Sequence, residues 1–290
     1  MKKRLSKNVL QMIISAVFIT TTFLMMFSLY RTNFVNVKYN DIPLRESASP
    51  FAKEEKTLTP NDEIQILKRE HGWYQVLLDD KKTTGWVASW VLDGETQKVK
   101  NKTPLEEATI FLDAGHGGWD SGALHEEDTH NPVYFEKTYT LKYILALGKK
   151  LESAGARVIY TRTTDTYVRF QDVGEIANSK FADVFVSIHF DSSEDPGYTG
   201  VTQYYSQDNG SQQLAQAISN QFNNLGLVNK GVQQEDFAVV KKSSMPATLL
   251  EMGYINNDND FYLIQQASYQ KKTVNDIYKG LISYFDSRQK

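Results

Sequence analysis

The 290-residue chain carries 32 Lys and Arg against 35 Asp and Glu, a net charge of -3, too near balance to mark nucleic acid or an anionic surface as a general partner. It has no cysteine, which excludes disulfides and thiolate metal sites and leaves His, Asp and Glu to hold any metal. Its length accommodates a full-sized domain and a smaller one.

Residues 1–8 hold four of the cations, Lys2, Lys3, Arg4 and Lys7, and no acidic residue precedes Asp41. Without those four the balance is mildly acidic, 28 basic against 35 acidic residues. Residues 9–30, Val9 to Tyr30, are uncharged and mostly Val, Ile, Leu, Met and Phe. As a helix rising about 1.5 Å per residue they reach across a hydrocarbon core of about 30 Å. A secretory signal has a shorter apolar region, about 7 to 15 residues, ending at a small-residue cleavage site. Here the run leads into Ser28-Leu29-Tyr30-Arg31 with no Ala-x-Ala. An uncleaved single-pass anchor in the cell membrane is expected, residues 1–8 in the cytoplasm and everything after Arg31 outside.

Residues 33–92 read as short strands. Ile64 and Ile66, then Tyr74, Val76 and Leu78, recur at period two, and Asp79-Asp80-Lys81-Lys82 reads as a hairpin tip. The segments His71-Gly72-Trp73-Tyr74-Gln75-Val76 and Thr84-Gly85-Trp86-Val87 resemble bacterial SH3-like domains. That resemblance implies a small all-β barrel that binds cell-wall peptides. The simpler alternative is a spacer with Trp73 and Trp86 in its core. Residues 93–108 are polar, carry Gly94 and Pro104, and read as a linker.

From residue 109 to 290 strand-like and helix-like segments alternate. Ile110 to Leu112, Arg157 to Thr161, Asp183 to Ile188 and Thr248 to Met252 read as strands. Leu141, Ile144, Leu145, Gly148 and Leu151 mark a helix ending at Ala154-Gly155, and Gln171 to Lys180 reads as another. Leu214, Ala217, Ile218, Phe222 and Leu225 trace a further helix, and Val274, Ile277, Tyr278, Leu281, Ile282 and Phe285 the clearest helical stripe. This alternation predicts an α/β domain, a mostly parallel sheet with helices on both faces.

Functional groups in such sheets gather where strands end. His116 closes the strand running to Asp113, within Ala114-Gly115-His116-Gly117-Gly118, and His189 closes the strand running to Ile188. Either histidine alone is commonly structural; two at the ends of separate strands suggest a site. Glu136 precedes a helix expected from about Thr138, where the helix dipole alone favours an acid. Glu251 stands in the otherwise uncharged run Ala247 to Tyr254, where an acid is costly unless paired, protonated or used.

Together these segments resemble the zinc-dependent N-acetylmuramoyl-L-alanine amidases of type 3. The matching residues are Leu112 to Gly118 with Asp120-Ser121-Gly122-Ala123, Glu136-Lys137, Thr161-Arg162 with Asp165, Ala177-Asn178, and Ala182-Asp183 with Ser187-Ile188-His189. Pro246-Ala247, Leu250 to Tyr254 and Asn256-Asn257 complete the set. The resemblance implies that His116, Glu136 and His189 bind Zn2+ and that Glu251 is the catalytic acid/base. It also implies hydrolysis of the peptidoglycan amide between N-acetylmuramic acid and the L-alanine of the stem peptide. Anchor, SH3-like module and amidase in this order resemble membrane-tethered amidases on the wall side of Gram-positive bacteria. Two His and one Glu leave zinc an open position, as a catalytic site requires.

Four residues stand apart from the family pattern. Val173 stands where an Arg is usual, with Arg169 the nearest substitute; Asp191 stands where Asn is common; His125 and His130 offer further imidazoles in a polar loop, read as solvated. The glycines at 115, 117 and 118 are expected to keep the zinc mouth open. The rivals are an extracytoplasmic zinc peptidase cutting within stem peptides, and a wall-binding scaffold inactive without an integral-membrane partner.

Overall fold

The computed structural model describes residues 6–31, 33–94, 103–126 and 130–288, which form two compact units, 1–48 with 54–92, and 49–53 with 93–290. The first unit opens with helix α1 (Lys7–Arg31), 25 residues long and apolar enough to cross a membrane. The hydroxyls of Thr20, Thr21 and Thr22 donate to the carbonyls of Ala16 and Phe18, so these three polar groups are satisfied within the helix.

Next come β1 (Phe34–Asn36), β2 (Ile42–Arg45), β3 (Glu54–Leu58), β4 (Glu63–Glu70), β5 (Trp73–Leu78), β6 (Thr84–Ala88) and a short α2 (Ser89–Leu92). The strands pair antiparallel in the linear order β1-β4-β5-β6-β2-β3. The expected tip does join β5 to β6, tightened by Asp80, whose carboxylate accepts the N–H of Lys82 and Thr83. Trp73 is buried, edge-on to Trp90 at 6.2 Å, with Leu44, Ile64, Val76 and Val87, whereas Trp86 is half-buried.

The second unit contains β7 (Thr109–Ala114), α3 (Glu136–Ser153), β8 (Arg157–Tyr160), α4 (Phe170–Ser179), β9 (Val184–Asp191) and β10 (Val201–Tyr205). It continues with α5 (Ser211–Ser219), β11 (Asn229–Gln234), α6 (Ala238–Lys241), β12 (Ala247–Tyr254), α7 (Asp258–Gln265) and α8 (Ala267–Arg288). The strand order is β11-β10-β12-β9-β7-β8. Neighbours run parallel except β10 and β12, which are antiparallel, so the sheet is mixed.

Period two sorts the central strands onto two faces. Ile110, Leu112, Val184, Val186, Ile188, Leu250 and Met252 pack with Tyr143, Leu147, Leu214, Ile277 and Leu281 from α3, α5 and α8. Phe111, Phe185, Ala247 and Leu249 face the other way, onto Val173 and Ala177 of α4 and Val239 and Val240 of α6. Asp113, His189 and Glu251 continue this second set by alternation, and it is the face on which the site forms.

Some expected element limits differ in the structure. Residues 95–102 of the expected linker lie outside the described residues; Leu105 and Ala108, near its end, are fully buried in the core of the second unit. Thr103 Oγ1 donates to Ala154 O and Arg157 N to Ala108 O, fixing that segment to the sheet. In α3, Ile144, Gly148 and Leu151 of the expected stripe are buried and Leu141 is half-buried, while Leu145 is exposed; Tyr139, Tyr143 and Leu147 complete the buried face. Helix α5 stops at Ser219, and Phe222 and Leu225 reach the core from the turns beyond it.

Candidate active site

Strand β7 ends at Ala114, and the chain turns so that His116 takes a left-handed φ of 62°. Arg162 holds this turn: buried, it donates to Ala114 O (2.9 Å), Gly115 O (2.9 Å), Lys137 O (3.1 Å) and Thr140 Oγ1 (3.0 Å). Its planar fork satisfies carbonyls that no regular ladder reaches. The same turn carries Asp120, whose Oδ2 lies 3.0 Å from His116 Nδ1 and whose Oδ1 accepts Gly122 N–H.

Glu136 is the first residue of α3, not a residue ahead of it, and its side chain is buried between the histidines. Oε2 stands 3.0 Å from His116 Nε2 and accepts Ala123 N–H; Oε1 stands 3.0 Å from His189 Nδ1 and accepts Phe190 N–H. His189 lies inside β9, two residues before its end, rather than beyond it. One ligand-capable atom from each of His116, Glu136 and His189 lies within 4.8 Å of the others. Across 20 and 53 residues of sequence, only the folded sheet assembles this group.

Burial alone would raise the Glu136 carboxyl, but hydrogen bonds from both histidines hold it far below the usual carboxylate range. Burial would lower His116, yet contact with Glu136 and Asp120 pushes it up to about 9. Glu251 moves the other way: burial first, then the charges of Glu136 and Asp191, raise its carboxyl well above an ordinary glutamate.

A cavity of about 440 Å³ opens over the group, lined by Asp113, His116, Asp120, Glu136, His189, Asp191 and Glu251. Its apolar wall comes from Val168, Phe170, Val173, Phe237, Val239 and Leu249. Val173 is buried in that wall. Arg169 does not take its place; it reaches Gln171 at 3.2 Å and Asp172 at 4.0 Å, outside the cavity. His125 is not solvated: it stacks on Phe261 at 3.8 Å, with Nδ1 3.0 Å from Ile255 O. His130 is exposed, and neither histidine joins the group among the described residues.

The glycines serve close packing rather than an open mouth. A Cβ on Gly115 would strike the His189 ring, one on Gly117 would strike Thr166 O, and one on Gly118 would lie 2.8 Å from Tyr167 N. Sequence reasoning gave no role to Asp120 or Arg162; the His-x-x-x-Asp spacing across a glycine turn was the available signal for Asp120.

A mixed sheet flanked by helices, with a histidine–carboxylate cluster and a buried acid in one cavity, marks an α/β domain equipped to hold a metal ion beside an acid. Residues 110–283 match the N-acetylmuramoyl-L-alanine amidase family model, and residues 40–93 match the bacterial SH3 domain. The chain is 36% identical over 248 residues to the probable cell wall amidase LytH of Staphylococcus saprophyticus, covering 84% of this chain and 82% of that one. Its fold is similar to the catalytic domain of CwlV, an N-acetylmuramoyl-L-alanine amidase from Bacillus (Paenibacillus) polymyxa: TM-score 0.58, 30% identity, 62% of this chain and 98% of that one. The CwlD amidase of Clostridioides difficile, solved in complex with the GerS lipoprotein, gives TM-score 0.57, 30% identity, 62% and 99%. The chain belongs to the N-acetylmuramoyl-L-alanine amidase family, the peptidoglycan hydrolases, and carries a bacterial SH3 domain ahead of the amidase domain.

Proposed function

We propose that the chain is a membrane-anchored zinc amidase that cleaves between the lactyl group of N-acetylmuramic acid and the L-alanine of the stem peptide. The carrying observation is the His116–Glu136–His189 group with Glu251 in the same cavity. The donors suit zinc: two imidazoles and one carboxylate are its usual catalytic set. His116 Nε2 and His189 Nδ1 converge on the two oxygens of the buried Glu136 carboxylate, each at 3.0 Å, the close set of donors that a metal ion would bridge.

Zinc bound there would supply Lewis acidity, acidifying water and polarising a carbonyl oxygen. His116, Glu136 and His189 would hold the ion, with Asp120 fixing the His116 ring through Nδ1. Glu251 takes the proton of the attacking water and returns one to the departing L-alanine amine. Burial and the charges of Glu136 and Asp191 raise its carboxyl above the ordinary glutamate range, the direction that favours its holding and returning a proton. The apolar wall of Val168, Phe170, Val173 and Phe237 limits water around the scissile bond.

Helix α1 is read as the single-pass anchor, with the basic cluster at residues 2–7 retained in the cytoplasm and the amidase on the wall side. The domain limits are read as 1–8, 9–30, 33–92, a linker over 93–108, and an amidase domain over 109–290. An integral-membrane partner contacting α1 is also proposed; α1 is apolar and exposed along its described side chains. Burial of Trp73 favours the SH3 domain as a spacer over a wall binder that uses that ring.

The test compares metal content and products of wild type and Glu251→Ala on purified peptidoglycan. Zinc in both proteins, with free glycan and intact stem peptides from wild type alone, is expected. Shortened stems, or turnover by the variant, would overturn the reading.

A further inference from the structure

Trp119 leaves 79% of its surface in solvent. It occupies a tight turn closed by Gly117 N–H to Asp120 O (2.9 Å) and Asp120 N–H to Gly117 O (3.2 Å). Its ring lies over Tyr167, centroids 4.3 Å apart and planes inclined 34°. The support is rigid. Gly118 N–H donates to Asp165 Oδ1 (2.8 Å), and Lys137 Nζ donates to both Gly118 O (2.6 Å) and Asp165 Oδ2 (2.8 Å). Gly118, at φ 62°, lets this turn sit directly on the backbone of Tyr167.

Both halves of the pair lead into the cavity. The residue after Trp119 is Asp120, which contacts His116; Tyr167 is followed by Val168 and, after Arg169, by Phe170 in the apolar wall. Nothing in the catalytic chemistry uses this aromatic surface; what sets it apart from a lone exposed side chain is the pairing of Trp119 with Tyr167 on a hydrogen-bonded turn beside the cavity.

We infer that Trp119 and Tyr167 form a saccharide subsite, on which a pyranose ring of the glycan strand rests while the stem peptide enters the cavity. A pyranose presents a face of C–H groups that matches an indole face through dispersion and CH–π contact and needs no charge. The cavity, about 440 Å³, takes a peptide but not a polymer, so the glycan must cross the rim. The scissile carbonyl belongs to the lactyl group carried on the sugar ring, so the ring stays within a few bonds of the cut, and Trp119 is three residues from His116. This inference rests on the amidase reading.

The test therefore reads binding and cleavage separately. Full-length protein in detergent is titrated with tetra-N-acetylchitotetraose, a peptide-free glycan, and binding is followed by saturation-transfer NMR. Saturable binding is expected for wild type, lost in Trp119→Ala, weakened in Tyr167→Ala and largely kept in Trp119→Phe. On purified peptidoglycan the zinc-loaded Trp119→Ala protein should lose roughly tenfold in kcat/KM, mainly through KM, with Trp119→Phe restoring most of it. Absence of binding by wild type, or equal binding by Trp119→Ala, overturns the subsite. So does a kcat loss that Trp119→Phe fails to rescue, which would mark a purely structural turn. Wild type that binds the oligosaccharide through Trp119 yet cuts no amide leaves the subsite standing and removes the amidase reading instead.

Discussion

Glu251 and His189 are register partners on the adjacent parallel strands β12 and β9. Their side chains therefore leave the same face of the sheet about 4.8 Å apart, the spacing of neighbouring strands. The sheet ladder itself fixes the separation between the proposed acid/base and the proposed metal ligand, and no loop has to close to set it. Glu251 Oε2 is buried and has no hydrogen-bond partner among the described protein groups, and Glu251 lines the cavity.

From this placement, Glu251→Gln keeps the shape of the side chain and removes its ability to accept a proton. Turnover on peptidoglycan is expected to fall by about 10²- to 10⁴-fold. Metal content by elemental analysis should be unchanged, since Glu251 is outside the His116–Glu136–His189 group. A variant that loses zinc together with activity would place Glu251 among the ligands.

Asp120 makes a second, separable prediction. Its contact with His116 Nδ1 at 3.0 Å fixes tautomer and ring orientation. Asp120→Ala should weaken zinc binding by about 10- to 100-fold, read by competition with a chromophoric chelator. An unchanged affinity would show that Arg162 and the glycine turn hold His116 unaided.

How much of this was legible in the sequence depended on where the determining force lay. Glu251 could be read because one acid in an uncharged strand contradicts its own surroundings, and the α8 stripe because packing on one face imposes helical period. Strands β10 and β11 were missed: Val201-Thr202-Gln203-Tyr204-Tyr205 and Asn229 to Gln234 are polar, and their pairing beside β12 is a tertiary effect. Leu145 misled because leucine on a helix looks apolar wherever it points, whereas Tyr143 carries the contact. His125 looked solvated because its partner, Phe261, is far along the chain. The glycines at 115, 117 and 118 were visible as glycines, but the atoms that crowd them come from segments around 166 and 189.

Gly115 yields a third prediction. An alanine methyl would occupy the space of the His189 ring, so Gly115→Ala must displace that imidazole or β7. Zinc binding and cleavage should be lost while far-UV circular dichroism stays near wild type, because the two aliphatic faces of the sheet do not involve this position. A variant that binds zinc normally would mean that the ring has room to rotate away.

Asp183, ahead of β9, carries the pH dependence of stability. Its carboxylate accepts Thr109 N–H at 2.7 Å, yet burial, with the charge of Glu107 adding to it, raises its pKa from 3.8 to about 7. A carboxyl raised on folding binds its proton more tightly in the native state. Its stabilising contribution is therefore complete below the unfolded value of 3.8 and is lost as pH climbs through about 7. For a half-buried side chain the swing is roughly 2 kcal/mol, about half the full linkage value. Asp183→Asn retains an acceptor for Thr109 without the charge. Its melting temperature relative to wild type should rise between pH 4 and pH 8, an interval chosen to bracket about 3.8 to about 7. A constant difference across that range would mean that Asp183 stays ionised in the folded protein.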